Sequence, residues 1–155
     1  MAKLGDAFSP DERRKSVARR LRPGAVVQLV VAFPERPKTK FLVVVHVDDQ
    51  CCTLTVNSEV HRFIASHPEL NVCQVRLDAA RHPFLRHDSH IACHQVTRLP
   101  TEAVLRELIA DEQRIKGDLH RDVIDEVIAA IKRAPTLSPA DQTLFSAALE
   151  GAKAD

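Results

Sequence analysis

The sequence predicts an α+β fold with a mainly β core: a small antiparallel barrel carrying one N-terminal helix and two or three C-terminal helices. Three observations predict it. Five short strand-like runs follow one another within about eighty residues, with no helical pattern between them, which favours a curled antiparallel sheet over a parallel α/β arrangement. After Pro100 the apolar spacing changes from period two to helical. Finally, 155 residues that are 45% hydrophobic and 28% charged can bury one core, so the expectation is a single domain over 1–155.

Ser9-Pro10-Asp11-Glu12 has the form of a capping box, with Ser at the N-cap, Pro at N1 and Glu at N3. It opens a basic helix over about 9–21, which Pro23-Gly24 stops. Ala25 to Phe33 and Thr39 to Val47 are Val-rich runs of strand length, separated by a basic loop stiffened by Pro34 and Pro37. Asp48-Asp49 makes the next turn. Cys52 to Val56, Val72 to Leu77 and Ile91 to Val96 suit three more strands, which closes a barrel over about 22–99. Beyond it a helical layer spans about 101–150. Thr101 caps a segment with Val104, Leu105, Leu108 and Ile109 on one side, and Gly117 ends it before Asp118 caps the next. Leu119, Val123, Ile124, Val127, Ile128 and Ile131 form an apolar stripe at helical spacing, and Ser138-Pro139 starts a last helix to about Leu149.

The net charge of +1 hides a gradient: +4 over 1–22, +1 over 23–99 and −4 over 100–155. An anionic partner should therefore meet the first two thirds of the chain, unless the charge runs are simply solvated faces. Aromatic residues are 4%, all of them Phe, which disfavours a platform on which unpaired bases stack. The four cysteines show no regular framework and the N-terminus no signal-peptide pattern, so the expectation is a cytoplasmic protein with reduced, buried thiols. There is no run of eighteen apolar residues for a membrane span.

The sequence lacks a Walker loop, a dinucleotide-binding glycine fingerprint, a nucleophile elbow and a zinc-protease helix motif, and four glycines leave little for a phosphate cradle. No nucleotide cofactor is expected. His87, His90, Cys93 and His94 crowd into eight positions, but their spacing matches no zinc pattern and neighbours on a strand point to opposite faces, so no metal site is expected. Cys51-Cys52 shows no feature that would lower a thiol pKa. What remains is the loop from Glu35 to Lys40, the turn after the third strand, and the segment from Pro83 to Ile91.

In order along the chain stand Arg22-Pro23-Gly24-x-Val26-Val27, a basic loop before a second Val-rich strand, and Asn57-Ser58 after the third strand. His87-Asp88-Ser89-x-Ile91-x-Cys93 follows near the last barrel strand, and Ile115-Lys116-Gly117-x-Leu119 leads into the main C-terminal helix. With this order and spacing, over roughly residues 20–133, the chain resembles the PemK/MazF-like toxins of bacterial toxin-antitoxin systems. The resemblance implies an SH3-like barrel, a homodimer, an antitoxin partner, and metal-independent and cofactor-free cleavage of single-stranded RNA through the substrate's own 2′-hydroxyl. Such a route needs a cation for the phosphorane and a group that donates or accepts a proton. The resemblance places these catalytic roles at Lys40 and Ser58, with Arg36, Lys38, Asn57, His87 and Asp88 as substrate-binding residues. Lys40-Phe41 stands where the family has Arg-Pro, and Arg36-Pro37 carries that dipeptide four residues earlier. The alternative is a non-catalytic SH3-like module that uses the same groove to hold a protein or nucleic acid.

Overall fold

The computed structural model describes residues 9–31 and 36–153. Along the chain lie α1 (Pro10–Arg20), β1 (Ala25–Val31), β2 (Lys38–Val47), β3 (Gln50–Asn57), the short helices α2 (Arg62–Ala65) and α3 (Pro68–Asn71), β4 (Gln74–Leu77) and β5 (Ser89–Pro100). Then come α4 (Thr101–Ala110), a 3-10 turn over Glu112–Arg114, β6 (Ile115–Asp118), α5 (Arg121–Arg133) and α6 (Pro139–Lys153). The six strands form one antiparallel sheet, in the order β4-β5-β3-β2-β1-β6, curled as a half-barrel.

β2 explains the layering. A strand buried on both faces reads as a continuous apolar run rather than an alternation, and from Phe41 to Val45 β2 is such a run. Val43 and Val45 join Val26, Leu54, Val56, Val75, Leu77 and Ile91 in a core closed by the α5 stripe and by Phe145 and Leu149 of α6. Leu42 and Val44 point the other way, into a second core with Val27, Leu29, Val17 and Leu21 of the α1 end, and Val104, Leu105 and Leu108 of α4. Full burial of each such Val, Leu, Ile or Phe side chain contributes about 1.5–3 kcal/mol.

The Ser9 hydroxyl accepts from the Glu12 amide at 3.1 Å, as the capping box predicts, and the Ser138 hydroxyl accepts from the Asp141 amide at 3.1 Å. α1 is fastened to α4 by Arg14 on Glu102 and by Arg13 donating to the Ile109 carbonyl at 2.8 Å. All four cysteines are buried and free.

Several elements differ from the sequence reading. The fourth helix stops at Ala110, not at Gly117, because Asp111 to Asp118 folds into the 3-10 turn and a sixth strand. β6 pairs with β1 through a register shift between Val26 and Val27, and Gly117 sits there at φ +124, a backbone region that favours glycine. Beyond this short strand, side chains take over the β1 edge: the Val30 amide donates to Glu107 Oε1 at 3.1 Å and Arg114 donates to the Gln28 carbonyl at 3.3 Å. Asp118 therefore closes β6 and pairs with Arg22, while α5 begins at Arg121 after His120. Thr101 is the first helical residue of α4 rather than its cap, and its hydroxyl donates to the Asp48 carbonyl. The segment between β3 and β4 holds α2 and α3, and α6 extends to Lys153. Ala32, Phe33, Pro34 and Glu35, part of the predicted first strand and its loop, lie outside the described residues.

Candidate functional site: a polar row across four strands

Alternation decides which way each predicted residue points. On β2, Leu42 and Val44 face the α1/α4 core, so Lys40 and Lys38 share that face, one and two steps nearer the strand start. Both belong to β2 itself rather than to the preceding loop, and Lys38 pairs with Val31 of β1. Arg36, exposed, lies just before the strand.

Leu42 pairs with Thr55, which sets Lys40 opposite Asn57 two positions on, and the Lys40 ammonium donates to Asn57 Oδ1 at 3.2 Å. Asn57 pairs in turn with His90 of β5, and His90 with Arg76 of β4. Directly opposed residues of antiparallel strands lie on one face with Cβ atoms about 4.5–5.5 Å apart. Lys40, Asn57, His90 and Arg76 thus form a row of ammonium, amide, imidazole and guanidinium over four adjacent strands. Their sequence neighbours Val56, Ile91, Val75 and Leu77 point through the sheet into the α5/α6 core. Within the α1/α4 core the buried strand residues come from β1, β2, β3 and β6 and none from β4 or β5, so the row lies beyond the area those helices cover.

The turn residues support this row. Asp88 accepts from Arg76 Nη2 at 2.6 Å and from the Ala79 amide at 2.8 Å, and these contacts, the Ala79 amide first, hold its carboxyl below the usual carboxylate range. Asp88 is thereby a brace that aims the Arg76 guanidinium. His87 is exposed and its carbonyl accepts from the Ser89 hydroxyl at 3.1 Å. Ser58 is exposed immediately after β3, one residue beyond Asn57.

The structure therefore brings Lys40 together with Asn57, and places Asp88 on Arg76 at the far end of the same row. Arg76 and His90 are members that sequence reasoning did not place in this site. For Arg76 the signal was its polar position between Val75 and Leu77; β5 carries several polar residues, and nothing in its own pattern set His90 apart.

Burial, reinforced by Cys52, pushes the Cys51 thiol up to about 12, away from the thiolate form that a nucleophile requires. Burial also raises Cys52, Cys73 and Cys93. Of the crowded set His87, His90, Cys93 and His94, Cys93 faces the α5/α6 core while His90 faces the row, as strand alternation requires. Among the described residues no group of three or more His, Cys, Asp or Glu side chains is placed to hold a metal ion, and no helix is long and apolar enough to cross a membrane.

No protein-family model matches this chain, and no curated protein matches it in sequence. Among solved structures the chain is similar to the Mycobacterium tuberculosis toxin MazF-mt6, with 17% sequence identity and a TM-score of 0.47, over 76% of this chain and 99% of that one.

Proposed function

We propose that the protein is a toxin-like endoribonuclease of the PemK/MazF type that cleaves single-stranded RNA without a metal, as a homodimer in the cytoplasm and under the control of an antitoxin. The observation that carries this reading is the Lys40–Asn57 pair at 3.2 Å, within a row that adds a second cation at Arg76. It joins two residues to which the resemblance assigns catalysis and substrate binding.

On this reading the RNA backbone lies along the row. The Lys40 ammonium faces the scissile phosphate and neutralises the charge that builds on its non-bridging oxygens as the 2′-oxygen attacks. A fixed donor aimed at developing charge is worth about 2.7–4 kcal/mol of barrier. Asn57 holds the ammonium in place, and the Ser58 hydroxyl donates to the same phosphate from the turn. Arg36 and Lys38 take neighbouring phosphates at the strand start. The products are a 2′,3′-cyclic phosphate and a 5′-hydroxyl.

Lysine at position 40 supplies the charge without the planar fork with which arginine grips two phosphate oxygens. The Arg76 fork, braced by Asp88 on the same face, supplies that geometry from a different strand.

The test is direct. Purified protein is incubated with mixed-sequence RNA in EDTA and the new ends are identified. Cleavage leaving cyclic phosphates supports the reading. Intact RNA at micromolar protein, or activity that vanishes with chelator and returns with a divalent ion, overturns it. RNA that is bound but never cut indicates the non-catalytic module.

A further inference from the structure

We propose that His90 is the group that accepts the 2′-hydroxyl proton in this site. The inference rests on the RNA-cleaving reading above and supplies what that reading leaves open, the destination of the nucleophile's proton.

Position is the first argument. His90 lies opposite Asn57, whose amide oxygen holds the Lys40 ammonium, so cation and imidazole flank one side chain from either side. Adjacent strands are about 4.8 Å apart, which sets Lys40 and His90 two strand spacings from each other. A single phosphodiester group can meet the ammonium through a non-bridging oxygen and the imidazole through its 2′-hydroxyl.

Availability is the second. His61, His67, His82, His94 and His120 each have a ring nitrogen hydrogen-bonded to a backbone or side-chain group, and His46 has Asp48 at 3.8 Å. The half-buried His90 ring has no hydrogen-bonding partner among the described residues. The His87 ring also has no hydrogen-bonding partner among the described residues, but it sits exposed in the turn before β5 and not on the strand row. A base must be within hydrogen-bond reach of the proton it removes, and its lone pair must not already be engaged.

The surroundings are the third. Asp88 interacts electrostatically with His90, and its orientation is fixed by Arg76 and the Ala79 amide.

The step balances. A neutral His90 nitrogen takes the 2′-hydroxyl proton as O2′ bonds to phosphorus. The phosphorus–O5′ bond breaks, O5′ takes a proton from solvent, and His90 returns its own proton to solvent. No oxidant, metal or covalent enzyme adduct takes part.

The experiment compares wild type with His90→Ala and His90→Gln in two assays: cleavage of a single-stranded RNA in EDTA, and binding of the same sequence with 2′-O-methyl groups, which cannot be cut. The expected result is a loss of cleavage of about 100- to 10,000-fold, binding of the uncuttable RNA within about threefold of wild type, and partial rescue of His90→Ala by free imidazole. Cleavage by His90→Ala within about tenfold of wild type overturns the assignment and leaves the RNA-cleaving reading standing. Parallel loss of cleavage and binding in both variants, without imidazole rescue, also overturns it and makes His90 a structural or binding residue. If wild type cuts no RNA, both the reading and the inference fall.

Discussion

The two faces of one sheet do different work, and the difference is written in consecutive residues. Toward α5 and α6, residues from the first five strands meet helix side chains in a dry core that includes the fully buried Ile131, Phe145 and Leu149. Toward α1 and α4 the cover stops short, and the polar row runs over β2, β3, β5 and β4 where it ends. Val56 and Asn57 are neighbours in sequence, as are Ile91 and His90, yet within each pair one residue supports the fold and the other the site. Pleating lets a small sheet hold a rigid core and a polar surface at the same backbone positions. Stability and activity should therefore separate by face.

The largest effect belongs to the dry face. Phe145→Ala should cost about 3–5 kcal/mol of unfolding free energy, read as a shift of the urea midpoint, while the fraction that stays folded cuts RNA at the wild-type rate. A loss below about 1 kcal/mol would mean that α6 is not part of the core it closes. On the row, Lys40→Ala should lower the cleavage rate by about 100- to 1,000-fold and change stability by no more than about 0.5 kcal/mol. Lys40→Arg, which restores the planar fork, should cut at least as fast as wild type. If Lys40→Ala retains full activity and RNA affinity, the cation of this site lies elsewhere and Arg36 is the next candidate.

Arg36→Ala and Lys38→Ala should behave more mildly. Each weakens binding of an uncuttable RNA, and each reduces the slope of log affinity against log salt by about 0.7, the value for one lost phosphate contact on a single strand. The cleavage rate at saturating RNA should not change. A fall in that rate would extend the catalytic part of the row to the start of β2.

The uneven legibility of the molecule follows from what each part depends on. β2 was legible as a Val-rich run because a strand covered on both sides carries its signal in its own residues. β6 was not: Ile-Lys-Gly-Asp has neither alternation nor β-branched enrichment beyond Ile115, and its strand character comes from the β1 edge some ninety residues away in sequence. Similarly, Lys40 and Asn57 could each be marked through the family resemblance. Their meeting with His90 and Arg76 required the β3–β5 register, where two positions on β3, Leu54 to Val56, span five on β5, Val96 to Ile91. No local pattern announces a shift of that size, so the second half of the row depended on pairing that only the folded chain reveals.

The smallest expected effect concerns another histidine of β5. His94 is half-buried, and its Nδ1 accepts from Gln74 Nε2 at 2.9 Å, the same amide nitrogen also donating to the Leu70 carbonyl at 3.2 Å. Burial lowers its pKa from the ordinary imidazole value. The sign follows: the unfolded chain takes up this proton first as pH falls, so the stability His94 contributes is complete above about pH 6.5 and is lost as pH falls through the lower folded value. Protonation at Nδ1 would also remove the acceptor that Gln74 uses. His94→Gln should therefore flatten the decline of unfolding free energy below about pH 6.5, measured by urea titration at a series of pH values. An acid limb as steep as that of wild type would show that His94 is not held neutral by the fold, and would remove this distinction between a histidine built into the packing and one left open on the row.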